Sequence, residues 1–319
     1  MERSQRWDIS RRSGNPGINE RGGTEMKLYA ACMMCLLSGQ ERKLRECRDE
    51  DKKARYMKEL LRLTADSGED ACAPWLAARI GEVYEKYFGV PEDYGPVKEA
   101  YNRLVLDMET EIEEKIRSAK DPLYTAMRYA RIGNYIDFSA VSDVKPEEFL
   151  SLLDREKDLI DEEEYRHFTG ELKGAERLVY LLDNCGEIVL DKLVIRILRE
   201  QYPHLKITAV VRGAQVINDA TKEDAVFTGL TGEAEVIGNG DNAAGTILSR
   251  ISPEASAAIE AADVILSKGQ GNFESLHGCG LNIYYLFLCK CDWFMKKFQV
   301  DRYQGMFVNE RRVHVWNEN

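Results

Sequence analysis

The apolar pattern of the chain changes near Gly174, and that change narrows the folds open to it. Beyond this point, short β-branched runs alternate with segments of helical period. Leu178 to Leu182, Ile207 to Val211 and Val264 to Leu266 read as strands from their length, β-branching and flanks. Glu187 to Glu200, Thr221 to Val226 and Pro253 to Ala262 read as helices between them. Such alternation predicts an α/β domain over 175–319, with a mainly parallel sheet and helices on both faces.

The stretch 26–174 has only the helical period. Met57, Leu60, Leu61 and Thr64 predict one buried stripe; Leu76, Ile80, Val83, Tyr84 and Phe88 a second; Tyr101, Leu104, Val105, Met108 and Ile112 a third. Asp121-Pro122 reads as an N-cap followed by proline at the first helical position, and Lys145-Pro146-Glu147-Glu148 as another helix start. The acid-rich stretch Asp154 to Glu164 reads as a solvated face or hinge. An all-helical N-terminal subdomain is therefore expected. Residues 1–25 hold few apolar groups and are expected to be a disordered leader, with Met26 a candidate start.

Composition removes whole classes of function. The 319 residues carry 44 Lys+Arg against 55 Asp+Glu, a net charge of −11, which disfavours a generic nucleic-acid binder. No apolar stretch approaches the roughly 18 residues of a membrane span. The leader lacks the apolar segment of a signal peptide, so a cytoplasmic protein with eight reduced cysteines is expected.

In an open α/β sheet, ligands bind beyond the carboxyl ends of the strands, so the residues following each run hold the candidate chemistry. Asp183 and Asn184 follow the first, with Gly186 leading into a helix; they suit a hard divalent metal, and equally a plain turn. Arg212 follows the second, with Asp219 shortly after: a phosphate-pairing cation and a third metal ligand, or a surface arginine and an N-cap. Lys268, Gly269 and Asn272 follow the third, as a phosphate clamp or a flexible loop. The segment Gly238 to Asn242, with Asp241, offers a further wall. Together these groups suggest a metal that bridges to a phosphate.

Other chemistries find little support. The four histidines form no HExxH or HxH pattern, GxSxG is absent, and no GxGxxG follows a strand. Cys32 and Cys35 have redox or metal spacing before a helix, without a second CxxC, although Cys289 and Cys291 could approach them in space. They read as buried or incidental thiols ahead of a soft-metal or redox site.

The ordered set CMMCLL, DPLYTAMRYARIGNYIDF, LLDNCGEIVLDKL, VVRGAQVINDAT, GDNAAGT and SKGQGNFESL resembles the damage-control phosphatase family, also known as the acidic-residue-methyltransferase-like metal-binding domain or domain of unknown function 89. The N-terminal CxxC resembles its mainly prokaryotic branch. The resemblance implies a three-layer α/β/α, Rossmann-like domain with a helical subdomain. It implies a divalent metal (Mg²⁺, Mn²⁺, Co²⁺ or Ni²⁺) on Asp183, Asn184 and Asp219, and Lys268 against a substrate phosphate. Glu187 lies in the DNxGE signature. The implied activity is hydrolysis of small phosphomonoesters: sugar phosphates or phosphopantetheine-type damaged metabolites.

The two candidates for the attacking group are a metal-bound water and Asp183 itself, and Arg212, Gly269, Asn272 and Asp241 are the further candidates for substrate binding. Cys185 stands where the motif usually has Ala, a departure expected to touch metal preference or redox sensitivity. Two other readings stand beside this one. A non-catalytic metal or phosphometabolite sensor would use the same pocket. An S-adenosylmethionine-dependent carboxyl methyltransferase would want a GxGxG loop after the first strand, which is lacking.

Overall fold

A computed structural model describes residues 27–69, 71–90, 93–133, 150, 151, 153 and 159–313. Its helices are α1 (Ala30–Lys43), α2 (Glu50–Ala65), α3 (Ala73–Phe88), α4 (Gly95–Asp107), α5 (Glu109–Ser118), α6 (Pro122–Ile132), α7 (Glu162–Leu172), α8 (Glu187–Gln201), α9 (Lys222–Phe227), α10 (Pro253–Ala261), α11 (Gln270–Leu276) and α12 (Asp292–Phe298). The strands are β1 (Arg177–Leu181), β2 (Lys206–Val211), β3 (Glu235–Gly238), β4 (Val264–Lys268), β5 (Ile283–Leu288) and β6 (Gly305–Asn309).

The strands form one sheet in the order β3-β2-β1-β4-β5-β6, parallel except for β6, which runs antiparallel to β5. The chain walks outward from β1 to β3, then returns to the other side of β1 with β4. Loops after β1 and β4 consequently diverge, opening a crevice at the switch point, where ligands of such sheets are held. Alternating side chains give the sheet two buried faces. Leu178, Tyr180, Ile207, Ala209, Leu266 and Leu286 join the core shared with α4–α8, while Val179, Leu181, Val210, Ile265, Tyr285 and Phe287 face the core that holds α10–α12.

The core is continuous across residue 174. Tyr101, Val105, Ile112, Met127 and Ala130 pack with the α8 residues Ile188, Val189 and Leu193, whereas α1–α3 enclose a smaller cluster around Tyr56, Leu60, Leu76 and Ile80. Asp121 caps α6 by accepting from the Tyr124 amide at 3.0 Å, as its Asp-Pro pair predicts. Among the described residues no helix is long and apolar enough to cross a membrane.

Several expectations need correction. The stripe on α2 runs through Tyr56, Leu60 and Thr64, and Leu61 is 54% exposed, because the helix turns its Leu61 edge to solvent. The third stripe spans two helices, broken at Met108. Cys32 and Cys35 lie inside α1 rather than before a helix. Strands β3, β5 and β6 were not among the predicted runs: β3 has four residues and buries one of them, β5 is apolar at every position and so has no alternation, and β6 is an antiparallel edge. Asp161 caps α7 through the Glu163 and Glu164 amides, which gives the end of the acid-rich stretch a structural role. The leader 1–25 and the helix start at Lys145 to Glu148 lie outside the described residues.

Candidate active site

The loop after β1 and the loop after β2 are joined by a short antiparallel bridge between Asn184 and Asp219. The Ala220 amide donates to the Asp183 carbonyl and the Cys185 amide to the Asn218 carbonyl, both at 2.8 Å. This pairing brings Asp183, Asn184 and Asp219 together although they come from different strand ends. The amide nitrogen of Asn184 donates to Asp183 Oδ2 at 2.7 Å and to Glu187 Oε2 at 3.2 Å, which turns its carbonyl oxygen the other way. The next strand end leaves room for this group. Gly269 has φ +81°, and a Cβ there would stand 2.1 Å from the Asp183 carboxylate, so only glycine fits.

Arg212, at the end of β2, is buried. Its Nε donates to Asp219 at 2.5 Å and its Nη2 to Asp183 at 3.3 Å, while Nη1 reaches Asn272 Oδ1 and the Gly245 carbonyl, each at 3.0 Å. Asn272 is fully used in holding this arginine: its amide nitrogen donates to the Leu182 and Lys268 carbonyls, and its oxygen also accepts from Thr246. Lys268, at the end of β4, is fully buried and donates to Glu187 at 2.5 Å, Asp191 at 2.7 Å and the Ala130 carbonyl at 3.0 Å. Tyr180 donates its hydroxyl to Asp191 at 2.7 Å.

In this arrangement the donors of Lys268 and Asn272 are directed to carboxylates and carbonyls. Asp241 likewise has partners of its own, accepting from Arg250 at 2.8 Å and from the Asn242 amide at 2.9 Å. Asp191 was missed by sequence reading. Its signal was present: Glu187 and Asp191 stand four apart, on one side of a helix whose neighbouring positions are largely apolar.

The electrostatics describe a place prepared for a cation. Four buried acids (Asp183, Glu187, Asp191, Asp219) meet two buried bases (Arg212, Lys268), so acidic groups outnumber basic ones. Burial pushes the Asp219 carboxyl up to about 7, with Arg212 opposing and Asp183 adding to the rise. Burial likewise pushes Glu187 to about 7 against the pull of Lys268. Burial works against the Lys268 charge, but Asp191 and Glu187 outweigh it and hold the ammonium above the usual lysine range. Hard carboxylate and amide oxygens are the donors that divalent ions such as Mg²⁺ and Mn²⁺ prefer. Among the described residues no group of three His, Cys, Asp or Glu side chains is arranged to hold a metal ion.

The thiols divide by burial. All eight cysteines are free. Cys185 is buried, and burial followed by the nearby Asp224 charge holds its thiol far above the usual range, which disfavours the reactive thiolate. Cys185→Ala is expected to keep phosphatase turnover within about threefold of the parent, and Cys185 of the folded parent to resist thiol alkylation; quantitative alkylation of Cys185 in the native state would contradict this. Cys32 does face Cys291 and Glu274, and burial pushes it up to about 11, which disfavours its thiolate.

Glu274, on α11, is pushed up to about 7 by burial, eased by the Gln270 amide at 2.7 Å and worsened by Asp183. A carboxyl raised above its unfolded value stabilises fully below about pH 4.5 and loses that contribution as pH climbs through about 7. Glu274→Gln is therefore expected to melt higher than the parent at pH 8 and to show no such gain at pH 4.5. Parallel melting curves for the two proteins across that range would refute the assignment.

Comparison with known proteins agrees with this geometry. Residues 28–306 match the family model of the damage-control phosphatase ARMT1-like domain. The chain is 32% identical over 275 residues to a damage-control phosphatase of Archaeoglobus fulgidus, covering 84% of this chain and 93% of that protein. It is 30% identical over 285 residues to a damage-control phosphatase of Pyrococcus horikoshii, covering 87% and 96%. The crystal structure of a DUF89 family protein from P. horikoshii superposes with a TM-score of 0.76 at 28% identity, over 90% of this chain and 100% of that one. The switch-point crevice and the match along nearly the whole described chain lead to one conclusion: the chain belongs to the damage-control phosphatase ARMT1-like family, and it is a phosphatase.

Proposed function

We propose that this phosphatase is a cytoplasmic, divalent-metal-dependent hydrolase of small phosphorylated metabolites, of the sugar-phosphate or phosphopantetheine-like class. The observation that carries the proposal is the buried cluster of four acids and two bases at the ends of β1, β2 and β4. Asp183, Asn184 and Asp219 would hold the metal, with Mg²⁺, Mn²⁺, Co²⁺ and Ni²⁺ as candidates; when bound, it supplies a Lewis acid for the phosphoryl group.

The protein's own groups do the rest. Arg212, fixed by Asn272 and the Gly245 carbonyl, presents a positive charge beside Asp183 and Asp219 and offsets the charge of the phosphate. Glu187, near neutral pKa and anchored by Lys268, accepts the proton of the attacking water at the carboxyl oxygen that faces Asn184. Lys268 thus acts by positioning Glu187. Beside Arg212 lies a cleft of about 480 Å³ lined by Gly213, Gln215, Lys222, Glu223 and Gly240, a polar wall that suits a hydroxylated leaving group.

The test is phosphate release from p-nitrophenyl phosphate and a sugar-phosphate panel by chelator-stripped protein, with each metal added back. Release that returns with at least one metal supports the proposal, and equal release without metal defeats it. Metal binding without turnover would favour a sensor, and saturable S-adenosylmethionine binding a transferase.

A further inference from the structure

Resting on that metal assignment, we infer that Asn102 of α4 is a positioning residue that sets the spacing of the two metal-holding loops. Asn102 is 1% exposed and lies far from the sheet edge in sequence, yet its side chain touches the first loop directly and is linked to the second through Asp224 of α9. Its Oδ1 accepts the Gly186 amide at 2.6 Å, in the loop that carries Asp183 and Asn184. Its Nδ2 donates to Asp224 Oδ1 at 2.8 Å. The other oxygen of Asp224 accepts Lys98 at 2.6 Å and the amide and hydroxyl of Thr221 at 2.8 and 2.9 Å, and Thr221 stands two residues after Asp219.

One turn of α4, Lys98 to Asn102, therefore holds the first loop at Gly186 and the second through Asp224. The grip is snug at Gly186, which has φ +70° and whose absent Cβ would lie 2.5 Å from the Tyr101 ring. The backbone bridge between Asn184 and Asp219 aligns the loops along the chain direction. The amide of Asn102 adds a second, side-chain tie, and a carboxamide suits it because one end must accept and the other donate. Ligands held ready in this way bind a metal without first ordering their loops.

The experiment is titration calorimetry of chelator-stripped protein with Mn²⁺ alone, joined to kcat at saturating metal. Asn102→Asp keeps the shape and the acceptor for Gly186 but sets a carboxylate against Asp224. Mn²⁺ affinity is expected to fall about tenfold or more while kcat at saturating metal stays within about threefold. The added negative charge would by itself strengthen cation binding, so weakening reports the lost geometry. The exchange Asn102→Asp with Asp224→Asn restores a donor-acceptor pair, and affinity is expected to return to within about threefold of the parent.

Unchanged affinity in the single variant, or no recovery in the exchange, overturns the inference. Should Asn102→Asp fail to fold, Thr221→Val removes one donor to Asp224, and an affinity loss of about threefold is expected, its absence again overturning the idea. Parent protein that binds no Mn²⁺ would instead defeat the metal assignment itself.

Discussion

Asp183→Ala is expected to lower metal-supported phosphate release by about a thousandfold or more, as loss of a group that organises charge at a reacting centre does. Asp183 meets Asn184 and Arg212 and lies against Gly269, so no neighbouring carboxylate can move into its place without displacing one of them. The fold should survive the change. Asp183 raises the Asp219 carboxyl, so its removal relieves a repulsion in the metal-free protein, and metal-free melting at pH 8 is expected to be no lower than the parent's. Calorimetry should show Mn²⁺ binding lost along with turnover. Activity within about tenfold of the parent would remove Asp183 from the centre.

Lys268→Met is expected to have the largest effect on stability. The ammonium faces Glu187 and Asp191, all three essentially without solvent contact, so its removal leaves two carboxyls uncompensated in the core. Breaking a buried pair from one side costs about 3–5 kcal/mol. The sign of the pH dependence follows from the same groups. Both carboxyls already lie above their unfolded values, and losing Lys268 raises them further, so the variant's deficit grows as pH climbs through the neutral range and shrinks toward pH 5. Adding Asp191→Asn removes one of the stranded charges and should recover part of the loss. Denaturant unfolding at pH 5 and pH 8 measures all three proteins, and a Lys268→Met deficit under about 1 kcal/mol at pH 8 would show that the cluster is not held by this charge.

The two experiments separate chemistry from scaffold at one sheet edge. On the proposed mechanism Asp183 is expected to cost the metal-free fold and to be needed for turnover, whereas Lys268 is expected to be needed by the fold and to act on turnover through Glu187. Such opposition is expected where a site gathers like charges before its cation arrives.

Much of this could be read along the chain. Strands β1, β2 and β4 were legible because their β-branched runs are bounded by loops, and Asp183, Asn184, Arg212, Asp219 and Lys268 stood out as polar residues directly after them or shortly beyond. A parallel sheet gathers such positions at one edge, so local pattern alone determined which residues would meet. It also determined the helical cover of the sheet and the cap at Asp121.

Partner choice was a different matter. That Lys268 turns inward to Glu187 and Asp191, that Arg212 lies across Asp183 and Asp219, and that Asn102 is linked to both loops are consequences of burial. A buried donor takes whichever acceptor the packed core brings within reach, and that acceptor lies 29 to 138 residues away for Arg212 with Asp183 and Lys268 with Ala130. Strand order follows the same rule, since β4 pairs with β1 across nearly a hundred residues of chain. Local sequence therefore determined the strand ends and the polar groups mounted on them, while the tertiary structure decided which charge faces which, because desolvation makes every buried charge depend on a neighbour that only the folded chain supplies.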